Sequence, residues 1–82
     1  MTDRQRLVFF LTQRIVAGIM AAREAGNNQT LVSDSLEEIL NEQPHLAEMA
    51  NKMKWKALRH AVYISVRRDL SFLGIKCPGS RL

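Results

Sequence analysis

Apolar residues recur at the spacing of an α-helix near the N-terminus, and this pattern constrains the fold more than any other feature of the chain. Over residues 7–22 they follow one another at intervals of three or four positions, as on the buried face of a helix. Further large apolar residues widen this face: Phe9, Phe10, Val16 and Met20. A helix that is apolar around most of its circumference must be covered on several sides, so other helices have to pack against it.

The chain is short for a protein with so apolar a helix. It has 82 residues, of which 46% are hydrophobic, and a domain of this size buries only about 60% of the surface that its unfolded chain exposes. We therefore expect a homodimer, because a second copy would cover apolar surface that the remaining helices leave exposed. The predicted dimer or partner interface consists of Phe9, Phe10, Val16 and Met20. The alternative is that Phe9 or Phe10 lies under a loop of its own chain.

Signals at both ends place the first helix at residues 1–25. Thr2 and Gln5 have the spacing of a capping box, in which each side chain bonds the backbone N–H of the other residue. Gly26 suits the position that follows a helix, where the backbone adopts a positive φ. The resulting helix is about 35 Å long.

Two short acidic helices are expected over residues 35–51. Ser35 and Glu38 repeat the capping-box spacing, which predicts that the second helix opens at Ser35 after a loop. Pro44 is favoured at the first position of a helix and therefore marks the start of the third.

A longer helix is predicted over residues 54–73. Gly74 and Ile75 supply the glycine and the apolar contact of a Schellman ending, and residues 74–82 form a tail. Nothing in the sequence decides whether residues 44–73 form one helix or two. The chain is thus a single all-α domain, a compact bundle of about four helices.

Charge is distributed unevenly along the chain. Residues 1–23 carry a net charge of +3, residues 24–51 carry −6 and residues 52–82 carry +7, within a formal net charge of +4. Such segregation favours an anionic partner for the basic segment.

The basic residues of the last helix fall on one side of a helical wheel, together with a tyrosine. Long cationic side chains reach several phosphates, and a tyrosine donates to a phosphate or stacks on a base. We interpret this face as a nucleic-acid-binding surface, with DNA preferred to RNA. Its residues are Lys52, Lys54, Lys56, Arg59, His60, Tyr63 and Arg67. The alternative is an ordinary solvated face.

The order of a short helix, a turn and a basic helix is that of a helix-turn-helix motif. Residues 46–51 would form its first helix, and the N-terminal half of the basic helix would meet the groove of the DNA. The turn holds Asn51 and Lys52, where such motifs often have glycine.

Asp69 lies near the apolar side of the basic helix on the same wheel. A buried carboxylate requires a partner, so we predict an ion pair between Asp69 and either Arg14 or Arg68. The alternative is that these side chains reach solvent at the rim of the core.

Several function classes lack their characteristic residues. Cys77 is the single cysteine, and with His45 and His60 it gives no metal-ligand spacing. There is no phosphate-binding glycine loop and no nucleophile motif. We therefore expect no enzymatic activity, no metal and no cofactor.

The single cysteine and the N-terminal sequence also bear on location. A lone cysteine is typical of a reducing compartment, and no cleavage signature follows the N-terminal apolar segment. The apolar side of the basic helix is needed for the core, so we expect no membrane attachment. These features favour a cytoplasmic protein.

The sequence therefore favours a small DNA-binding, transcription-regulatory protein that acts through its basic C-terminal helix. The alternative is a protein–protein interaction module, such as an inhibitor, adaptor or anti-activator. That module would act through the apolar N-terminal helix and the acidic middle segment.

Overall fold

The computed structural model of the protein describes residues 2–27 and 32–76. Within these ranges the chain forms four helices and no strand, which confirms the all-α bundle. The helices are α1 (Asp3–Glu24), α2 (Val32–Glu42), α3 (Pro44–Asn51) and α4 (Trp55–Phe72). Cys77 and the rest of the tail beyond residue 76 lie outside the described residues.

The capping box that begins α1 is present as predicted. The Thr2 hydroxyl accepts a hydrogen bond from the Gln5 backbone N–H at 3.2 Å, and the Gln5 side-chain oxygen accepts one from the Thr2 N–H at 2.9 Å. The two bonds satisfy N–H groups that have no partner within the helix.

The second residue after each long helix is a glycine with positive φ. These are Gly26, at 87°, after α1 and Gly74, at 73°, after α4. After α4, the Ile75 N–H donates to the Leu70 carbonyl at 2.9 Å. Ile75 also packs against the core. These contacts confirm the predicted Schellman ending, and they fix the direction in which the chain leaves α4.

The core lies mainly between α1 and α4, which form the most extensive helix–helix contact of the described chain. Each helix contributes a row of aliphatic side chains at helical spacing, and α2 and α3 pack against this pair. The two rows are Leu7, Leu11, Ile15 and Ile19 on α1, and Leu58, Val62, Val66 and Leu70 on α4. Full burial of one such side chain contributes about 1.5–3 kcal/mol to stability, so this contact is the main source of stability.

Helix α2 begins at Val32, and the predicted start at Ser35 was wrong. Val32 is only 3% exposed, and it continues the buried row of Leu36, Ile39 and Leu40 at helical spacing. Burial of Val32 against the core stabilises the earlier turn, so Ser35 lies inside the helix instead of capping it.

Residues 44–73 form two helices. Helix α3 ends at Asn51 and α4 begins at Trp55, so residues 52–54 make the turn between them. Met53 is half-buried and packs against the core, which anchors this turn and leaves its two lysines on the outside.

The predicted ion pair of Asp69 was wrong. Asp69 is only half-buried, and both Arg14 and Arg68 are exposed. Among the described residues, no ion pair joins Asp69 to Arg14 or Arg68. Water reaches the Asp69 carboxylate, so the argument from burial does not apply, and all three side chains reach solvent at the rim of the core.

Two glycines should respond to alanine in opposite directions. An added Cβ on Gly18, within α1, meets nothing within 4 Å, so Gly18→Ala should raise the free energy of unfolding by about 0.5–1 kcal/mol. Gly74→Ala should lower it by about 1 kcal/mol, because its positive φ strains a residue with a Cβ. Urea denaturation followed by helical circular dichroism measures both changes. A change of the same sign in both variants would contradict the helical backbone described for Gly18 or the positive φ described for Gly74.

Candidate nucleic-acid interface

The predicted nucleic-acid-binding residues begin where α3 turns into α4 and continue along α4. Lys52 and Lys54 lie in the turn, Lys56 lies in the first turn of α4, and His60 and Arg67 follow along the helix. All five side chains are exposed. Each can therefore reach a ligand without a change in the fold.

A shallow depression lies within this basic surface. Its described lining consists of Lys56, Ala57, Arg59 and His60, and its volume is about 490 Å³. Arg59 is half-buried, in contrast to its exposed neighbours. No carboxylate belongs to the described lining, so the local field is positive and suits an anionic group.

The N-terminus of α4 adds to this positive field. Lys54 is the N-cap residue, and its side chain has no acceptor atom with which to cap the helix. The first bond within the helix runs from the Leu58 N–H to the Lys54 carbonyl at 2.9 Å. The N–H groups of residues 55–57 therefore have no partner within α4, and the helix dipole places partial positive charge there.

The structure brings Arg4 to the same end of α4, a neighbour that the sequence did not predict. Its guanidinium donates a long hydrogen bond of 3.5 Å to the Ala57 carbonyl. Arg4 belongs to α1, and a helical wheel of the basic helix cannot include it. Only the packing of α1 beside α4 brings its charge to the first turn of α4.

Tyr63 does not belong to the basic surface, and its predicted contact with nucleic acid was wrong. The residue is only 6% exposed and is part of the core. Its hydroxyl is buried and has no hydrogen-bond partner within the described part of the chain. Tyr63 lies three residues before Val66 and seven before Leu70, at the edge of the buried row. Its large ring is buried with that row instead of facing the basic residues.

The residues predicted for a dimer or partner interface divide into two groups. Phe9, Phe10 and Met20 are exposed, whereas Val16 is half-buried and packs against the core. The aliphatic row of α1 is covered within a single chain, so a second copy is not needed to bury it. The homodimer stays a prediction.

The acidic middle segment is exposed on α2, where Glu37, Glu38 and Glu42 face solvent. Glu38 and Glu42 line a groove of about 340 Å³ between α1 and α2, together with Arg14. Because Arg14 lies in the same groove as these carboxylates, they partly offset its charge, whereas no carboxylate belongs to the described lining of the depression at the start of α4.

Neither a metal-binding cluster nor a membrane-spanning helix occurs in the described residues. No group of three histidine, cysteine, aspartate or glutamate side chains there is placed to hold a metal ion. None of the helices in these ranges combines the length and the apolar character needed to cross a bilayer.

No protein-family model matches the chain, and neither a curated protein nor a solved structure is significantly similar to it. We therefore infer a function from the exposure, charge and shape of this molecule's own surface.

Replacement of Tyr63 by phenylalanine should stabilise the fold. The substitution removes a buried hydroxyl without a partner and keeps the ring, so we expect a gain of about 1 kcal/mol. In a domain of this size the melting temperature should rise by about 4–8 °C. Tyr63→Ala is the matched control and should lower the melting temperature, because it removes the ring from the core. A lower melting temperature for Tyr63→Phe would mean that the hydroxyl has a partner in solution.

Proposed function

We propose that the protein binds double-stranded DNA through the basic surface at the start of α4 and acts as a small transcription regulator. The observation that carries this proposal is the exposure of Lys52, Lys54 and Lys56 around the positive end of a helix. A helix N-terminus with free N–H groups is suited to a phosphate. Lysines around it add the sequence-independent attraction that dominates affinity for DNA.

The basic surface has the length of a short DNA site. Lys56 and Arg67 are separated by about 16 Å along α4 at the rise of an α-helix. That distance equals the rise of about five base pairs in B-form DNA. His60 lies between them, so α4 offers charges to several successive phosphates.

DNA is favoured over RNA by the shape of the surface. The exposed residues Lys56, His60 and Arg67 lie on one helix, α4, which directly follows the two lysines of the turn. The major groove of B-form DNA admits an α-helix. The major groove of A-form RNA is deep and narrow, and side chains cannot read it. The chain has the element order of a helix-turn-helix motif in α3, residues 52–54 and α4. In such a motif α4 would be the recognition helix.

Salt dependence and charge removal test the proposal together. The fluorescence anisotropy of a labelled generic DNA duplex is measured during titration with the protein at several salt concentrations. With about five phosphate contacts, the logarithm of the binding constant should fall against the logarithm of salt with a slope near −4.5. Substitution of Lys52, Lys54 and Lys56 by glutamine should weaken binding at least tenfold and make the slope shallower by about 0.9 for each phosphate that is no longer neutralised.

The matched control removes the same charge from another part of the molecule. Arg6, Arg14 and Arg23 are exposed on α1, and their replacement by glutamine should leave the affinity and the slope nearly unchanged. Equally weakened binding in the two triple variants would show attraction by net charge alone, without a defined surface. Absence of binding by the unmodified protein at low salt would overturn the proposal.

A second candidate function is that of a protein-interaction module, such as an inhibitor, adaptor or anti-activator. The observation in its favour is a set of large apolar side chains exposed on the outside of α1 and α4, namely Phe9, Phe10, Met20, Ile64 and Phe72. Extended apolar patches on small proteins commonly mark interaction sites. This surface differs from the basic one, and a single protein has room for both.

A further inference from the structure

The outer side of the α1–α4 pair carries an apolar groove, formed by two depressions that meet. The larger has a volume of about 880 Å³, and the smaller has a volume of about 370 Å³. The larger depression is lined by Val8 and Phe9 from α1 and by Ala61 from α4. The smaller one is lined by Phe72. Ile64 and Arg68 line both, so the two form one continuous surface, here called the α1/α4 groove.

The apolar side chains of this groove are unusually exposed. Phe9 is 57% exposed, Ile64 is 46% exposed and Phe72 is 83% exposed. Exposure of apolar side chains of this size to water is unfavourable in free energy. Contiguous exposed apolar patches commonly mark binding sites. Ile64 and Phe72 are about 12 Å apart along α4, so the groove has the length of about two turns of a bound helix.

Arginines line the groove together with these apolar side chains. Arg4 lines the larger depression, Arg67 lines the smaller, and Arg68 lines both. No aspartate or glutamate belongs to the described lining of either. Arginine binds carboxylates through paired hydrogen bonds, so the charge complement of this groove is an apolar stripe flanked by acidic residues.

We propose that the α1/α4 groove binds an amphipathic helix of a partner protein, with Asp or Glu on both sides of its apolar stripe. Phe9, Ile64 and Phe72 receive the apolar side chains at helical spacing, in the manner of helix-in-groove recognition. The arginines pair with the flanking carboxylates and set the direction of the helix. This interaction is independent of the DNA contact, apart from Arg4 and Arg67, which lie on both surfaces.

A second copy of the chain does not fit the groove. In the described part of the chain, the large exposed apolar residues lie on α1, on α4 or directly after α4. The acidic row lies on α2, whose apolar residues are buried. No described segment therefore presents an apolar stripe between carboxylates, and two grooves facing each other would oppose arginine to arginine.

A synthetic peptide tests the chemistry of the groove. The probe is a labelled helical peptide of about 18 residues, with leucines along one face and glutamates on both sides of that face. It is titrated with the full-length protein and followed by fluorescence anisotropy. One control peptide has lysine in place of glutamate, and another has alanine in place of leucine. We expect saturable binding of the glutamate peptide, with both controls at least tenfold weaker.

Variants of exposed residues locate the binding on the protein. The double variant Ile64→Ser and Phe72→Ser should weaken peptide binding at least tenfold, and Arg68→Gln should weaken it severalfold. Leu73→Ser is the matched control, because Leu73 is a large apolar residue that is exposed directly after α4 and lines neither depression. Its affinity for the peptide should equal that of the unmodified protein. Circular dichroism of every variant verifies that the helices are retained.

Three results would overturn the proposal. The first is the absence of saturable peptide binding up to about 1 mM protein. The second is equal affinity for the glutamate and lysine peptides, and the third is an equal decrease in affinity for the groove variant and for Leu73→Ser. The groove variant should bind the DNA duplex as the unmodified protein does. Failure of that variant to bind DNA would instead assign the groove to nucleic acid.

Discussion

The contact between the aliphatic rows of α1 and α4 determines the rest of the structure. The two helices lie near opposite ends of the sequence, and their packing closes the domain around one core. Helices α2 and α3 connect the pair and complete the burial. Both candidate surfaces depend on the same contact: Arg4 reaches the start of α4 because α1 lies beside it, and Phe9 and Ile64 share a groove because their helices are adjacent.

The features that the sequence predicted well are those with local causes. The capping box at Thr2 and the Schellman ending at Gly74 depend on residues a few positions apart, and an apolar period of three to four residues is visible without knowledge of a partner. The start of α2 escaped prediction because the deciding factor is the burial of Val32 against the core. A local signal at Ser35 was outweighed by a tertiary contact, as often occurs with weak local preferences.

The candidate sites show the same difference between features with local causes and features that depend on tertiary contacts. The basic surface around the lysines of the turn could be predicted from the distribution of charge along the chain. The position of Tyr63 could not, because a helical wheel groups it with the basic residues, whereas packing places its amphipathic ring in the core. The arginines and the apolar side chains of the α1/α4 groove come from different helices. No single-helix pattern contains that combination, so it requires the tertiary structure.

The long separation in sequence between α1 and α4 has a consequence for how the protein folds in a cell. Chains emerge from the ribosome N-terminus first, so α1 appears long before the helix that covers its aliphatic row. Helices α2 and α3 together cover only part of that row, and the core remains incomplete until α4 has also emerged. The domain therefore completes its fold only after α4 has been synthesised, and until then α1 is open to chaperones.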